Sequence, residues 1–132
     1  MVSPPLISVV DDNDSVRESL KGLITSVGFS VEDFPSAEKF LNSDHLYDTR
    51  CLILDVRMPR MSGLELQRRL VKSNRNIPII FITAHGDEAA RSQALQDGAV
   101  DYLFKPFSEQ ALLNAINAAL GLEMSRNQNR TG

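Results

Sequence analysis

The sequence predicts a single α/β domain of five strand–helix pairs, (βα)5, wound as a doubly covered parallel sheet. Three observations carry that expectation. Runs at 6–10, 51–54 and 78–82 are continuously apolar, as strands buried on both faces must be. The segments between them place apolar side chains at helical spacing instead. The two kinds of segment alternate, so helical crossovers join the strands, which implies mostly parallel pairing with helices on both faces. At 132 residues and 42% hydrophobic content, the chain suits one core.

The first strand is Leu6-Ile7-Ser8-Val9-Val10. The helix after it carries Val16, Leu20, Leu23, Ile24 and Val27, with Gly28 placed to end it. Its start has two candidates: Ser15-Val16-Arg17-Glu18 has the capping-box pattern, and Asp14 equally suits the N-cap. Phe29-Ser30-Val31 reads as a short strand of edge type, and Ser36 opens a short helix through Phe40 and Leu41. After the third strand, Ser62-Gly63-Leu64-Glu65 is another capping box, and its helix carries Leu66, Leu70 and Val71. The helix expected over 87–97 has only Ala89, Ala90, Ala94 and Leu95 as apolar positions, so its anchoring should be light. A mixed strand at 100–104 and a helix from Ser108 with Leu112, Leu113, Ile116, Ala119 and Leu120 complete the set. Residues 1–5 are expected to be disordered, 6–120 to form the domain, and the polar stretch 121–132 to be a frayed end or the start of a linker.

Composition narrows the function. A formal net charge of −3 gives no broad basic surface for nucleic acid or anionic lipid. No apolar run nears the roughly 18–20 residues that span a bilayer, and 1–5 lack the pattern of a secretory leader. The single cysteine, Cys51, opens an apolar run and is expected to be a buried small hydrophobe. With no intrachain disulfide open to it, the chain suits a reducing, cytoplasmic setting. His45 is expected at the surface.

The chemistry collects at the strand ends. In an open parallel sheet, ligands bind beyond the carboxyl ends of the strands. Asp11 and Asp12 follow the first run, Asp55 ends the third, Thr83-Ala84-His85 follow the fourth, and Lys105-Pro106 follow the fifth. Three carboxylates so placed repel: a pair at ~4 Å costs about 4 kcal/mol at an effective dielectric near 20. A hard divalent cation relieves that, and Mg2+ suits few carboxylates plus waters and a phosphate. Zinc is disfavoured, since His85 is the one nitrogen ligand at the strand ends. A carboxylate beside Mg2+ can attack a phosphoryl group, while Lys105 and Thr83 would neutralise and hydrogen-bond its oxygens. Acidic residues also cap helices, and Asp14 is expected to do so.

These residues resemble a known family. Val9-Val10-Asp11-Asp12, Asp55-x-x-Met58-Pro59-x-Met61-Ser62-Gly63, Thr83-Ala84 and Lys105-Pro106-Phe107 match, in order and spacing, the receiver domains of bacterial two-component response regulators. The resemblance implies a flavodoxin-like strand order 2-1-3-4-5 and makes Asp55 the phosphoacceptor for a sensor histidine kinase. It assigns Mg2+ to Asp12, Asp55 and the Arg57 backbone carbonyl, with Asp11 acting through water. Thr83 and Tyr102 become switch residues, Lys105 the phosphate contact, and Lys105–Pro106 a cis bond. The segments around Arg57 and His85 look most like the nitrogen-fixation regulator branch, whose members carry a C-terminal helix-turn-helix domain that binds DNA. On that reading the chain stops at a linker; the alternative is a stand-alone receiver or phosphorelay protein. Output would pass through the fourth helix, fifth strand and fifth helix, where phosphorylation drives homodimer formation or domain release. Arg57 and His85 are expected to tune acyl-phosphate hydrolysis, with His85 otherwise a turn bystander.

Two rivals share parts of the pattern. A haloacid-dehalogenase-type phosphatase needs Asp-x-Asp after its first strand, whereas Asp55-Val56-Arg57 follows the third. A flavodoxin needs a Ser/Thr/Gly phosphate loop where Asp11-Asp12-Asn13-Asp14 stands. The expectation is therefore a domain that is no enzyme beyond catalysing its own phosphorylation and dephosphorylation.

Overall fold

The structure, a computed structural model, describes residues 3–131, with side chains described through Gly121. Met1, Val2 and Gly132, which the sequence reading placed in a disordered start and a polar tail, lie outside the described residues. The order is β1 (Leu6–Val10), α1 (Asp14–Ser26), β2 (Ser30–Phe34), α2 (Ala37–Leu41), a 3-10 turn (Asp44–Leu46), β3 (Thr49–Asp55), α3 (Gly63–Lys72), β4 (Ile79–Thr83), α4 (Glu88–Gln96), β5 (Asp101–Phe104) and α5 (Glu109–Thr131). All strand pairs are parallel, in the order β2-β1-β3-β4-β5. The predicted (βα)5 sheet is present.

Alternation along each strand builds two cores. Ile7, Val9, Cys51, Ile53, Ile80 and Ile82 face α1 and α5, where they meet Leu20, Ile24, Leu112 and Ile116. Val10, Leu52, Leu54, Ile79 and Phe81 face the other way, toward Phe40, Leu66, Leu70 and Ala94. Cys51 is fully buried, as a small hydrophobe. The register aligns the functional ends: Val10 lies opposite Leu54, Asp55 opposite Ile82 and Thr83 opposite Phe104. Asp11 and Asp55 therefore leave neighbouring strands at the same level.

Several local expectations shift. The N-cap of α1 is Asn13, whose side chain accepts from the Val16 amide at 3.1 Å, rather than Ser15 or Asp14. Asp14 sits in the first turn, and its carboxylate is taken by Arg17. β2 runs to Phe34, since it pairs with β1 along its whole length and Val31 and Phe34 are buried. Val27 and Val71, expected on the apolar faces of their helices, are exposed. The helix α5 continues through Thr131, where the polar sequence suggested a frayed end or linker. The carbonyl of Pro5 accepts from the Ser30 amide at 3.1 Å, tying the residue before β1 to the sheet. His45 is half-exposed, its ring nitrogen 3.8 Å from the Glu32 carboxylate.

Other expectations are met closely. Ser36 caps α2 and Ser62 caps α3, the latter accepting from the Glu65 amide. α4 is capped by Asp87 and buries Ala94 alone.

Candidate phosphoacceptor site

The site is a rim built from three strand ends. Val10 is the last residue of β1, so Asp11 emerges where the sheet stops, yet it is fully buried. Each of its polar groups is engaged. Its amide donates to the Phe34 carbonyl at 3.2 Å and its own carbonyl accepts from Arg17 Nη1 at 2.7 Å. Its Oδ1 accepts from the Asn13 amide at 2.8 Å, and its Oδ2 from Lys105 Nζ at 3.0 Å. Asp12, the next residue, is exposed. Asp55 ends β3 and is 6% exposed.

Oxygen atoms of Asp11, Asp12 and Asp55 lie within 4.8 Å of one another. That proximity has an electrostatic cost. The Asp55 carboxyl is pushed up to about 7, first by burial and then by the charge of Asp11, with a smaller push from Asp12. The Lys105 ammonium and a 3.4 Å hydrogen bond from the Arg57 amide act in the opposite sense without prevailing. The cluster thus holds more negative charge than its one lysine offsets. Its donors are all oxygen, at a spacing that a hard cation with ligands at about 2.1 Å closes by small side-chain rotations. The residues fit Mg2+ by donor type and charge.

The loop that follows Asp55 is shaped by contact rather than propensity. The Gly63 amide donates to the Val56 carbonyl at 2.9 Å, bringing the start of α3 against the end of β3. A Cβ on Gly63 would stand 2.2 Å from the Asp55 backbone carbonyl oxygen. Arg60 turns the chain with a positive φ of 69°. Only a residue lacking a side chain fits position 63.

Thr83 and Lys105 occupy the neighbouring strand ends, and Tyr102 lies within β5 opposite Phe81. Thr83 is 1% exposed; its Oγ1 accepts from the His85 amide at 3.1 Å and lies 3.4 Å from the His85 carbonyl, to which it donates. The Lys105 amide donates to the Thr83 carbonyl at 2.7 Å, and the Lys105–Pro106 peptide is cis as the resemblance implied. Tyr102 is buried, its ring at 5.4 Å from Phe104 and 6.0 Å from Phe81, and its Oη has no hydrogen-bond partner. Burial raises its phenol, with a further push from Asp87.

Of the residues singled out by sequence, Asp11, Asp12, Asp55 and Lys105 come together. The Thr83 hydroxyl is held by its own turn. The Arg57 guanidinium lies 4.0 Å from the Asp87 carboxylate, and His85 presents an exposed side chain. Sequence reasoning missed Asn13, Arg17 and Asp33 as supports of the rim. Arg17 sits three residues after Asp14 on a polar helix face, a spacing that signals a surface pair and nothing of the Asp11 carbonyl.

Comparison with known proteins gives a consistent answer. The profile of the response regulator receiver domain family matches residues 7–117. The response regulator protein TodT of Pseudomonas putida is 49% identical over 124 residues, covering 94% of this chain and 55% of that protein. The chain thus spans about half the length of such curated relatives. Among solved structures, the response regulator StyR superposes with a TM-score of 0.88 at 49% identity, over 98% of this chain and 65% of that one. FixJ-N superposes with a TM-score of 0.81 at 41% identity, over 92% and 96% of the two chains. None of these matches is to a haloacid-dehalogenase-type or flavodoxin protein. Strand order, rim and profile converge, and the chain belongs to the response regulator receiver domain family, in its FixJ-like branch.

Proposed function

We propose that the chain takes a phosphoryl group from a sensor histidine kinase onto Asp55 and passes the change to an output through α4, β5 and α5. The convergence of the Asp11, Asp12 and Asp55 oxygens within 4.8 Å carries this reading. Asp12, Asp55 and the Arg57 backbone carbonyl would hold Mg2+ directly, with Asp11 joining through water. The cation would supply charge neutralisation to the phosphoryl oxygens.

An Asp55 carboxylate oxygen attacks phosphorus in line, the phosphorus–nitrogen bond to the donor imidazole breaks, and an acyl phosphate remains on Asp55. Lys105 already points into the rim, where Asp11 accepts its Nζ at 3.0 Å, so it need move little to meet a phosphoryl oxygen. Thr83 must exchange its His85 contacts for that oxygen. The domain turns over no substrate besides its own acyl phosphate.

Light anchoring of α4 supports an output there, because its displacement forfeits little buried area. The transcriptional-regulator names of relatives such as TdiR of Thauera aromatica and FixJ of Azorhizobium caulinodans, together with their greater length, support a transcription-regulating output in the whole protein. Among the described residues no helix is long and apolar enough to cross a membrane.

Incubation with acetyl phosphate and Mg2+ followed by intact-mass measurement tests the site. Wild type should gain one phosphoryl group and Asp55→Asn none; a labelled Asp55→Asn chain removes the assignment. In the same assay Arg57→Ala and His85→Ala should label fully and decay at altered rates. Unchanged decay in both excludes their tuning role.

A further inference from the structure

We propose that Arg17 is a positioning residue for the cation site, holding the Asp11–Asp12 loop by its main chain so that the carboxylates stay available to metal. The inference rests on the Mg2+ reading above. Arg17 is a largely buried cation on α1, its side chain 13% exposed. Its guanidinium meets three groups: Nη1 donates to the Asp11 carbonyl at 2.7 Å, Nε to Asp33 Oδ2 at 3.1 Å, and Nη2 to the Asp14 carboxylate.

The choice of partners is informative. A guanidinium beside acidic residues ordinarily seeks the carboxylate in bidentate fashion. Here it spends its charge on Asp14 and Asp33, which stand outside the three-carboxylate cluster, and reaches Asp11 only at the backbone. The Asp11 carboxylate is left to the Asn13 amide and Lys105. Arg17 therefore joins the end of β1, the start of α1 and β2 into one frame around the loop without competing for its ligand oxygens. Lysine, with a point charge on a flexible stem, cannot reproduce this planar fork.

The test is Mg2+ titration of the full 132-residue chain by NMR amide shifts, for wild type, Arg17→Met and Arg17→Lys. Positioning predicts that Arg17→Met weakens Mg2+ binding roughly tenfold or more, as loss of an outer-shell support does, with Arg17→Lys between it and wild type. Electrostatics alone predicts the reverse, since deleting a nearby cation favours another cation. Unchanged or tighter binding by a folded Arg17→Met chain overturns the proposal, even if its melting temperature has fallen. If Arg17→Met does not fold, Arg17→Lys decides: weakened binding supports the role, and wild-type affinity overturns it. Failure of the underlying site reads differently. In that case wild type itself binds no Mg2+, or Asp12→Asn binds as well as wild type, and both readings fall together.

Discussion

Asp55 is held in a state it relaxes only by gaining a proton or a cation. A buried carboxyl raised from the usual 3.8 to about 7 binds a proton in the metal-free fold over a range where the unfolded chain has lost it. Stability of the metal-free domain should therefore fall as pH rises from about 4 to about 7 and level off above, by on the order of 4 kcal/mol. Mg2+ should restore it increasingly across the same window, because the ion replaces the proton. Asp55→Asn should flatten this part of the profile and leave the metal-free chain more stable at pH 8. Denaturant unfolding at several pH values, with and without Mg2+, measures all three; a metal-free wild type whose stability rises steadily to pH 8 contradicts the argument.

Much of this was legible from residue order. Apolar runs end in Asp11, Asp55, Thr83 and Lys105, and parallel topology sends those ends to one rim. The supports were less legible, because Asn13 and Arg17 act through main-chain contacts that no periodicity encodes. Asp14 shows the difficulty well. As a cap and as an ion-pair partner it has the same local sequence, and a buried guanidinium decides between them.

Among the elements, α3 and α4 differ in how firmly they are placed. α3 begins at Gly63, pressed on the backbone of β3, and buries Leu66, Gln67 and Leu70. Gly63→Ala should push the helix start away from Asp55 and cost about 1–3 kcal/mol, in the range of overpacked substitutions. Thermal melting reads this as a loss of several degrees, and an unchanged melting temperature would show that the loop yields freely. α4, by contrast, has Ala94 in the core and a bond across from Gln67 Nε2 to the Ala94 carbonyl at 3.0 Å. Three alanines and one leucine at helical spacing announced a weakly held helix, but only the tertiary structure shows that a tether comes from a glutamine on α3. The extent of β2 and α5 was hidden for another reason. Both carry polar side chains, and their backbones are held by ladder or helix bonds whatever the side chains favour.

For the whole molecule, the two faces of the sheet divide the work. The α1/α5 core is continuous with the acidic rim through Arg17 and Lys105, whereas the α2/α3/α4 core contains the buried Tyr102 ring and the lightly held helix. A change at Asp55, which lies between them, is thus expected to move the second face more than the first. Phe104, exposed on β5, and α4 would then form the contact for a second copy. Size-exclusion chromatography with Mg2+ should show a monomer alone and a shift toward dimer with beryllofluoride, which stands in for the phosphoryl group on Asp55. A shift that persists in Asp55→Asn would place the effect elsewhere.

The turn that ties the Thr83 hydroxyl to His85 has a consequence for the resting pathway. Under the proposed switching role of Thr83, an excursion to the signalling shape would first give up those backbone partners, and a hydrogen bond of about 1 kcal/mol net would suppress such excursions about fivefold. On the proposed function, background output in the absence of stimulus would thereby be kept down by a feature that a phosphoryl oxygen, once present, would remove by offering the hydroxyl a better acceptor.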